Sequence, residues 1–107
     1  MSTKISQAQF QIGQIIEHFN FGYRGVVFEV DSTFSLSDAW YASMAKSRPP
    51  KDQPWYHVLV DGSHHSTYVA ERHLIASDDT GSIDHPALQT YFSGQIEGRY
   101  SPLHRIM

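Results

Sequence analysis

Histidine is the residue type with the widest chemical scope in this sequence, which has seven histidines and no cysteine in 107 residues. His64 and His65 are adjacent in a glycine-containing segment that is typical of a turn. A zinc site needs three or four ligands that converge on one ion at about 2.0–2.3 Å. Neighbouring turn residues rarely converge in this way, and no His-Glu-x-x-His pattern accompanies them. We therefore expect surface histidines at these positions, and neither a metal nor any other cofactor.

Catalytic groupings are equally sparse. Ser63, His64 and Asp61 are the residue types of a hydrolase triad, but a triad is assembled by the fold and not by adjacency in sequence. The segment between Gly22 and Gly25 lacks the phosphate-loop pattern and is not followed by a predicted helix. These observations favour a binding protein without enzymatic activity.

The charge balance bears on which partner such a protein would bind. Lysine and arginine number 8 against 11 aspartates and glutamates, giving a net charge of −3, whereas DNA-binding domains usually carry a basic excess. Exposed aromatic rings stack on bases or contact proteins, and scattered arginines can contact phosphates. The candidate partner surface combines aromatic, basic and histidine side chains: Phe21, Tyr23, Arg24, Arg48, His57 and Arg72. The alternatives are a solvated mixed-charge surface for the arginines and a partly buried, hydrogen-bonded histidine for His57.

The elements that must position these side chains are mostly strands. Alternation places Val26, Phe28 and Val30 on one face of a strand, and residues 55–61 form the strongest predicted strand. Ser37 is a plausible N-cap for a short helix, and a second helix is expected from residue 84 to 94. The pattern predicts a mainly β protein, a small SH3-like barrel of about five strands with two short helical excursions. An open sheet packed under the second helix is the alternative. The predicted core residues are Val26, Phe28, Val30, Trp55, Val58, Val60, Tyr68 and Leu74.

The chain is interpreted as one domain, residues 10–94, which ends in the second helix. Residues 1–9 are expected to be a flexible leader, and residues 95–107 a weakly patterned tail. No segment approaches the roughly 20 apolar residues that span a bilayer, and no signal-peptide pattern is present. We therefore expect a cytoplasmic protein with no membrane partner.

Three segments carry a family resemblance. The opening Phe10-x-Ile12-Gly13-Gln14, with His18 and residues 21–31, resembles the start of the HspQ family, also called the YccV-like or hemimethylated-DNA-binding domain. Residues 53–60 resemble the central signature of that family, and residues 67–74 resemble its Tyr-Val-Ala-Glu segment. The likeness extends over roughly residues 10–92.

The resemblance implies a small β-barrel that forms a homo-oligomer, often a trimer. It implies a role in stress-related protein quality control, as a specificity-enhancing factor and substrate of the Lon protease. It also implies an alternative: a regulator that binds hemimethylated double-stranded DNA near the replication origin and affects expression of the initiator DnaA. The acidic balance of the chain leads us to place the protease and its clients ahead of DNA.

Overall fold

The fold is mainly β, as predicted. The computed structural model describes residues 7–103, and the sequence-predicted leader and tail lie partly outside this range. In chain order the elements are β1 (Ile15–His18), β2 (Arg24–Asp31), α1 (Asp38–Met44), β3 (Trp55–Val60), β4 (Ser66–Ala70), a 3-10 turn (Glu71–His73), β5 (Leu74–Ala76), α2 (Leu88–Tyr91), β6 (Phe92–Ile96) and β7 (Arg99–Pro102). Strands β1 to β5 form one antiparallel sheet in the order β4-β3-β2-β1-β5, and β6 and β7 form a separate hairpin. No helix within residues 7–103 is long and apolar enough to cross a membrane.

The five-stranded sheet curls around one cluster of buried hydrophobic residues, called the first cluster below. The 3-10 turn after β4 leads the chain back to β1, which β5 joins through the pair His18 and Leu74. Val69 of β4 and Leu74 of β5 belong to the same buried cluster, which also contains Ile16, Tyr56 and other residues of the central strands. Within the described residues β4 and β5 are not hydrogen-bonded to each other. The sheet is therefore a five-stranded curl with one open side and not a closed barrel.

The central strand β2 is buried on both faces. Val27 packs into the first cluster, and its neighbour Val26 packs into a second cluster on the opposite face. The register with β3 shifts between Val27 and Glu29, which marks a β-bulge. The bulge interrupts the alternation, so Val30 packs against the first cluster while Phe28 packs against the second. The prediction that Val26, Phe28 and Val30 share one face was therefore correct for Val26 and Phe28 and wrong for Val30.

The first helix forms as predicted. The Ser37 hydroxyl accepts a hydrogen bond from the Trp40 backbone N–H at 3.0 Å, and Asp38 lies in the first turn. This cap satisfies one of the free N–H groups of the helix start. The helix packs Trp40 against Trp55 and Tyr68, so α1 lies over one end of the second face of the sheet.

The second helix is much shorter than predicted, because α2 ends at Tyr91 and β6 begins at Phe92. Glu97 and Gly98 both have positive φ angles, which close a tight hairpin to β7. Phe92 and Tyr100 are buried in the second cluster with Ile83. The hairpin thus covers the second face of the sheet, and Tyr100 is part of the core packing although the sequence analysis placed it in a tail.

Candidate functional site

An open groove of about 840 Å³ runs along the outer edge of β4. One wall is the turn between β1 and β2, with Phe21 and Tyr23. The other wall is α1 and the segment after it, with Trp40 and Met44. The side chain of Phe21 is 79% exposed and that of Met44 is 63% exposed. Large apolar side chains that a small domain leaves in water at the rim of a groove are typical of a binding surface.

The floor of the groove is held rigid by a hydrogen-bonded aromatic group. Tyr68 donates its hydroxyl to Asp31 at 2.7 Å and accepts the Ser35 backbone N–H at 3.0 Å, while its ring stacks on Trp55. His57 shares the same carboxylate at 3.1 Å. Burial, assisted by the hydrogen bond to Asp31, raises the pKa of Tyr68 to about 12. Burial pushes the pKa of Asp31 upward, but the hydrogen bonds from Tyr68 and His57 outweigh it and leave that pKa lowered.

The wall that carries Phe21 is fixed by a neutral histidine. The Nδ1 atom of buried His18 accepts the backbone N–H groups of Asn20 and Phe21, each at 3.1 Å, and its ring stacks on Phe21. Burial, and to a lesser extent the neighbouring His73, lowers the pKa of His18. An Nδ1 atom that accepts two hydrogen bonds must be unprotonated, so the turn conformation requires the neutral form of His18.

The groove carries a positive charge although the chain is acidic. Of the described residues that line it, none is an aspartate or glutamate, whereas Lys46 is among them. Arg72 donates to the carbonyl of Ser47 at the groove wall, and Arg48 lies next to Ser47 in the chain. The segment after α1 and the 3-10 turn therefore bring Lys46 and Arg72 to this edge.

Most of the sequence-predicted surface gathers here. Phe21, Tyr23 and His57 line the groove. The exposed side chain of Arg72 reaches the Ser47 wall. Arg48 is also exposed, but its guanidinium lies over the ring of Tyr41, and neither residue lines the groove. The Tyr23 hydroxyl is 2.8 Å from the Thr67 hydroxyl, a contact that ties the β1–β2 turn to β4.

Arg24 lies elsewhere and is committed to internal contacts. Its guanidinium forms an ion pair with Asp61 at 3.0 Å and approaches Asp79 at 3.6 Å. It also donates to the carbonyls of Asp79, Gly81 and Ser82. With only 18% of its side chain exposed, Arg24 clamps the loop of residues 77–84 onto the sheet.

Sequence reasoning missed His18, His73 and Lys46 as site residues. His18 and His73 are far apart in the chain and come together only because β5 pairs with β1. No local pattern signals that pairing. A usable signal did exist for α1, because the spacing of Trp40 and Met44 predicts a shared helical face.

The described structure does not join Ser63, His64 and Asp61 into a hydrogen-bonded triad. The Ser63 hydroxyl donates to the Val60 carbonyl and accepts the His65 N–H, which are turn contacts. His64 and His65 are exposed, as expected. Of the described residues, Glu29, Asp31 and His57 bring ligand atoms within 4.8 Å of one another. The Asp31 carboxylate is already engaged by Tyr68 and His57.

Residues 8–99, which include the groove and the first strand of the hairpin, match a family model described as "Hemimethylated DNA-binding protein YccV like". The chain belongs to the YccV-like family. The resemblance read from the three sequence segments is thereby confirmed. The YccV-like match runs on to Arg99, the first residue of β7, so β6 lies inside the matched region. The YccV-like family is a family of binding domains, and the groove is the candidate site for that binding.

Proposed function

We propose that this protein is a non-enzymatic cytoplasmic factor of protein quality control, which engages a Lon-type protease and its clients through the groove. The observation that carries the proposal is the exposed apolar rim formed by Phe21 and Met44 above a rigid aromatic floor. Exposed apolar patches rimmed by polar residues mark surfaces that interact with other proteins. The sequence resemblance supplies the protease as the partner.

A degradation assay tests this function. Purified Lon is incubated with a soluble bacterial protein extract, and mass spectrometry compares degradation rates with and without the protein. We expect a subset of extract proteins to be degraded severalfold faster, and Phe21→Ala to reduce that acceleration while the fold is unchanged. Ile96→Ala is the matched control, because Ile96 is also highly exposed but lies on β6, outside the groove. Degradation rates that do not respond to the protein would refute the proposal.

The second candidate function is binding of hemimethylated DNA, which the description of the family favours. It is also favoured by Lys46 in the groove lining and Arg72 at the Ser47 wall, because phosphate contacts need positive charge. The net charge of −3 opposes it. The test is a titration with hemimethylated and fully methylated duplexes at about 0.15 M salt. Nanomolar affinity for the hemimethylated duplex, abolished by Arg72→Ala, would place DNA first.

The oligomeric state belongs to the same proposal. Phe19 and Phe21 are 66% and 79% exposed on the β1–β2 turn, and exposed rings of this size are frequent at interfaces between copies. We expect a homo-oligomer, with a trimer as the state that the family resemblance implies. Light scattering at tens of micromolar tests it, since association of about −7 kcal/mol is detectable there. A monomer at that concentration would contradict the expectation.

A further inference from the structure

The edge of β4 that faces the groove has free backbone groups. Val60 N–H donates to the His65 carbonyl, and Glu71 N–H donates to the Pro54 carbonyl, so residues 65 and 71 face β3. Antiparallel strands alternate in this respect, so residues 67 and 69 also face β3. Ser66 and Tyr68 therefore direct their backbone groups away from the sheet. Among residues 7–103 neither forms a backbone hydrogen bond on that side.

An unpaired strand edge is a template for another strand, and proteins usually protect it with charge, proline or a covering segment. Here β4, Ser66–Ala70, has no charged residue and no proline. Instead its edge lies at the bottom of a groove between Phe21 and Tyr23 on one side and Trp40 and Met44 on the other. A strand added to β4 would place alternate side chains against each wall, since successive side chains point to opposite faces.

The charges of the groove indicate which kind of partner segment it binds. No carboxylate of the described residues lines it, Lys46 does, and Arg72 lies at its Ser47 wall. We infer that the groove binds an extended acidic segment of a protein partner, with apolar side chains at alternate positions, as an added strand on β4. This inference rests on the proposed function, because it names the chemistry and the binding mode of the protein partner.

Peptide binding tests the inference with the full-length protein. The probes are fluorescein-labelled peptides of about ten residues, a length that spans β4 with room on both sides. One alternates valine with glutamate, and a matched peptide alternates valine with lysine. Fluorescence anisotropy should give about tenfold tighter binding for the acidic peptide, and its affinity should fall with added salt. Equal affinities for the two peptides would overturn the charge assignment.

The strand geometry is tested on both partners. Ser66→Pro removes the outward N–H of β4 without removing a hydrogen bond to β3, and should weaken the acidic peptide severalfold. Ser66→Ala keeps the N–H and is the matched control, with unchanged affinity expected. Acidic peptides N-methylated at alternate residues in either register provide a test that needs no variant. Only the register whose N–H groups face β4 should lose affinity, and equal behaviour of the two would refute strand addition.

Charge variants and competition complete the test. Lys46→Glu should weaken binding of the acidic peptide severalfold, while Arg99→Glu, the same charge change outside the groove lining, should not.

If no peptide binds while Lon-dependent degradation is still stimulated, the inference fails and the proposed function stands. If the acidic peptide binds as expected but degradation does not respond, the proposed function fails and the inference stands. Displacement of the acidic peptide by a hemimethylated duplex, with no effect of Ser66→Pro on the peptide, would assign the groove to DNA and overturn the inference. A protein whose oligomer dissociates on Ser66→Pro, and which binds no peptide, would assign the edge of β4 to a second copy and overturn it too.

Discussion

Similar side chains are enclosed at one end of the sheet and exposed at the other. At one end, Arg24 is enclosed by Asp61 and the carbonyls of the 77–84 loop, and the β6–β7 hairpin covers the apolar face. At the other end, Arg48 and Arg72 reach solvent, and Phe21 is 79% exposed beside a free strand edge. Residue type alone does not separate structural from binding side chains here. What separates them is whether their contacts are completed within the chain.

The largest expected effect is at the closed end. Tyr100 is buried against Phe92, and its hydroxyl accepts the Ile83 backbone N–H at 2.8 Å. Tyr100→Ala should lower the free energy of unfolding by about 3–5 kcal/mol, because it leaves a cavity and an unpaired N–H. Phe21→Ala at the open end removes only the ring contact with His18 and should lower it by about 1 kcal/mol or less. Urea denaturation of both variants measures the contrast, and similar losses at the two positions would contradict it.

Alanine variants of Arg24 and Arg72 test the same comparison, with a smaller expected loss of stability. Arg24→Ala leaves the Asp61 carboxylate and several loop carbonyls without their donor, and should cost about 1–3 kcal/mol of stability. Arg72→Ala removes one exposed hydrogen bond to Ser47, and should cost less than about 0.5 kcal/mol. Thermal unfolding of the two variants checks this. A loss at Arg72 equal to that at Arg24 would show that Arg72 is also a structural clamp.

The same contrast explains what the sequence could predict. The positions of β2 and β3 and the Ser37 cap follow from local pattern, and these predictions were confirmed. The β-bulge after Val27 depends on pairing with β3, which is distant in sequence, and the replacement of the end of the predicted second helix by β6 depends on pairing with β7. The local sequence around Phe92 is compatible with either element, and burial against Ile83 and Tyr100 decides between them. Arg24 looked like a surface cation because its partners lie up to 58 residues away in sequence.

A pH effect is expected from the wall of the groove. Burial, with some contribution from His73, lowers the pKa of His18, and burial, with some contribution from Arg72, lowers the pKa of His73, both from 6.5. The unfolded chain therefore takes up these protons first as the pH falls. The contribution of these two histidines to the free energy of unfolding is complete above pH 6.5. It is lost as the pH falls through 6.5 toward their lowered pKa values in the folded state. Urea unfolding between about pH 8 and 5 should show this decline.

His18→Asn separates this effect from general acid denaturation. An asparagine oxygen can accept a hydrogen bond from the Phe21 turn but does not titrate, so the decline below neutral pH should become shallower. His64→Asn is the matched control, because His64 is exposed, and should leave the pH profile unchanged. A His18→Asn profile identical to that of the unmodified protein would disprove the role of His18.

The smallest expected effect is that of metal ions on the group formed by Glu29, Asp31 and His57. Their ligand atoms lie within 4.8 Å of one another, but Asp31 Oδ2 already accepts hydrogen bonds from Tyr68 at 2.7 Å and from His57 at 3.1 Å. A cation would have to displace both donors from the carboxylate and remove the proton from His57 Nε2. It would thereby break the hydrogen bonds that hold Tyr68 and His57 in the groove floor. EDTA or added zinc should therefore change the melting temperature by less than about 1 °C. Zinc at a hundred times its dissociation constant would instead add about 2.7 kcal/mol. For a domain of this size that gain corresponds to a shift of roughly ten degrees or more. A shift of that size with zinc, abolished by Asp31→Asn, would show that these residues bind metal in preference to holding the groove floor.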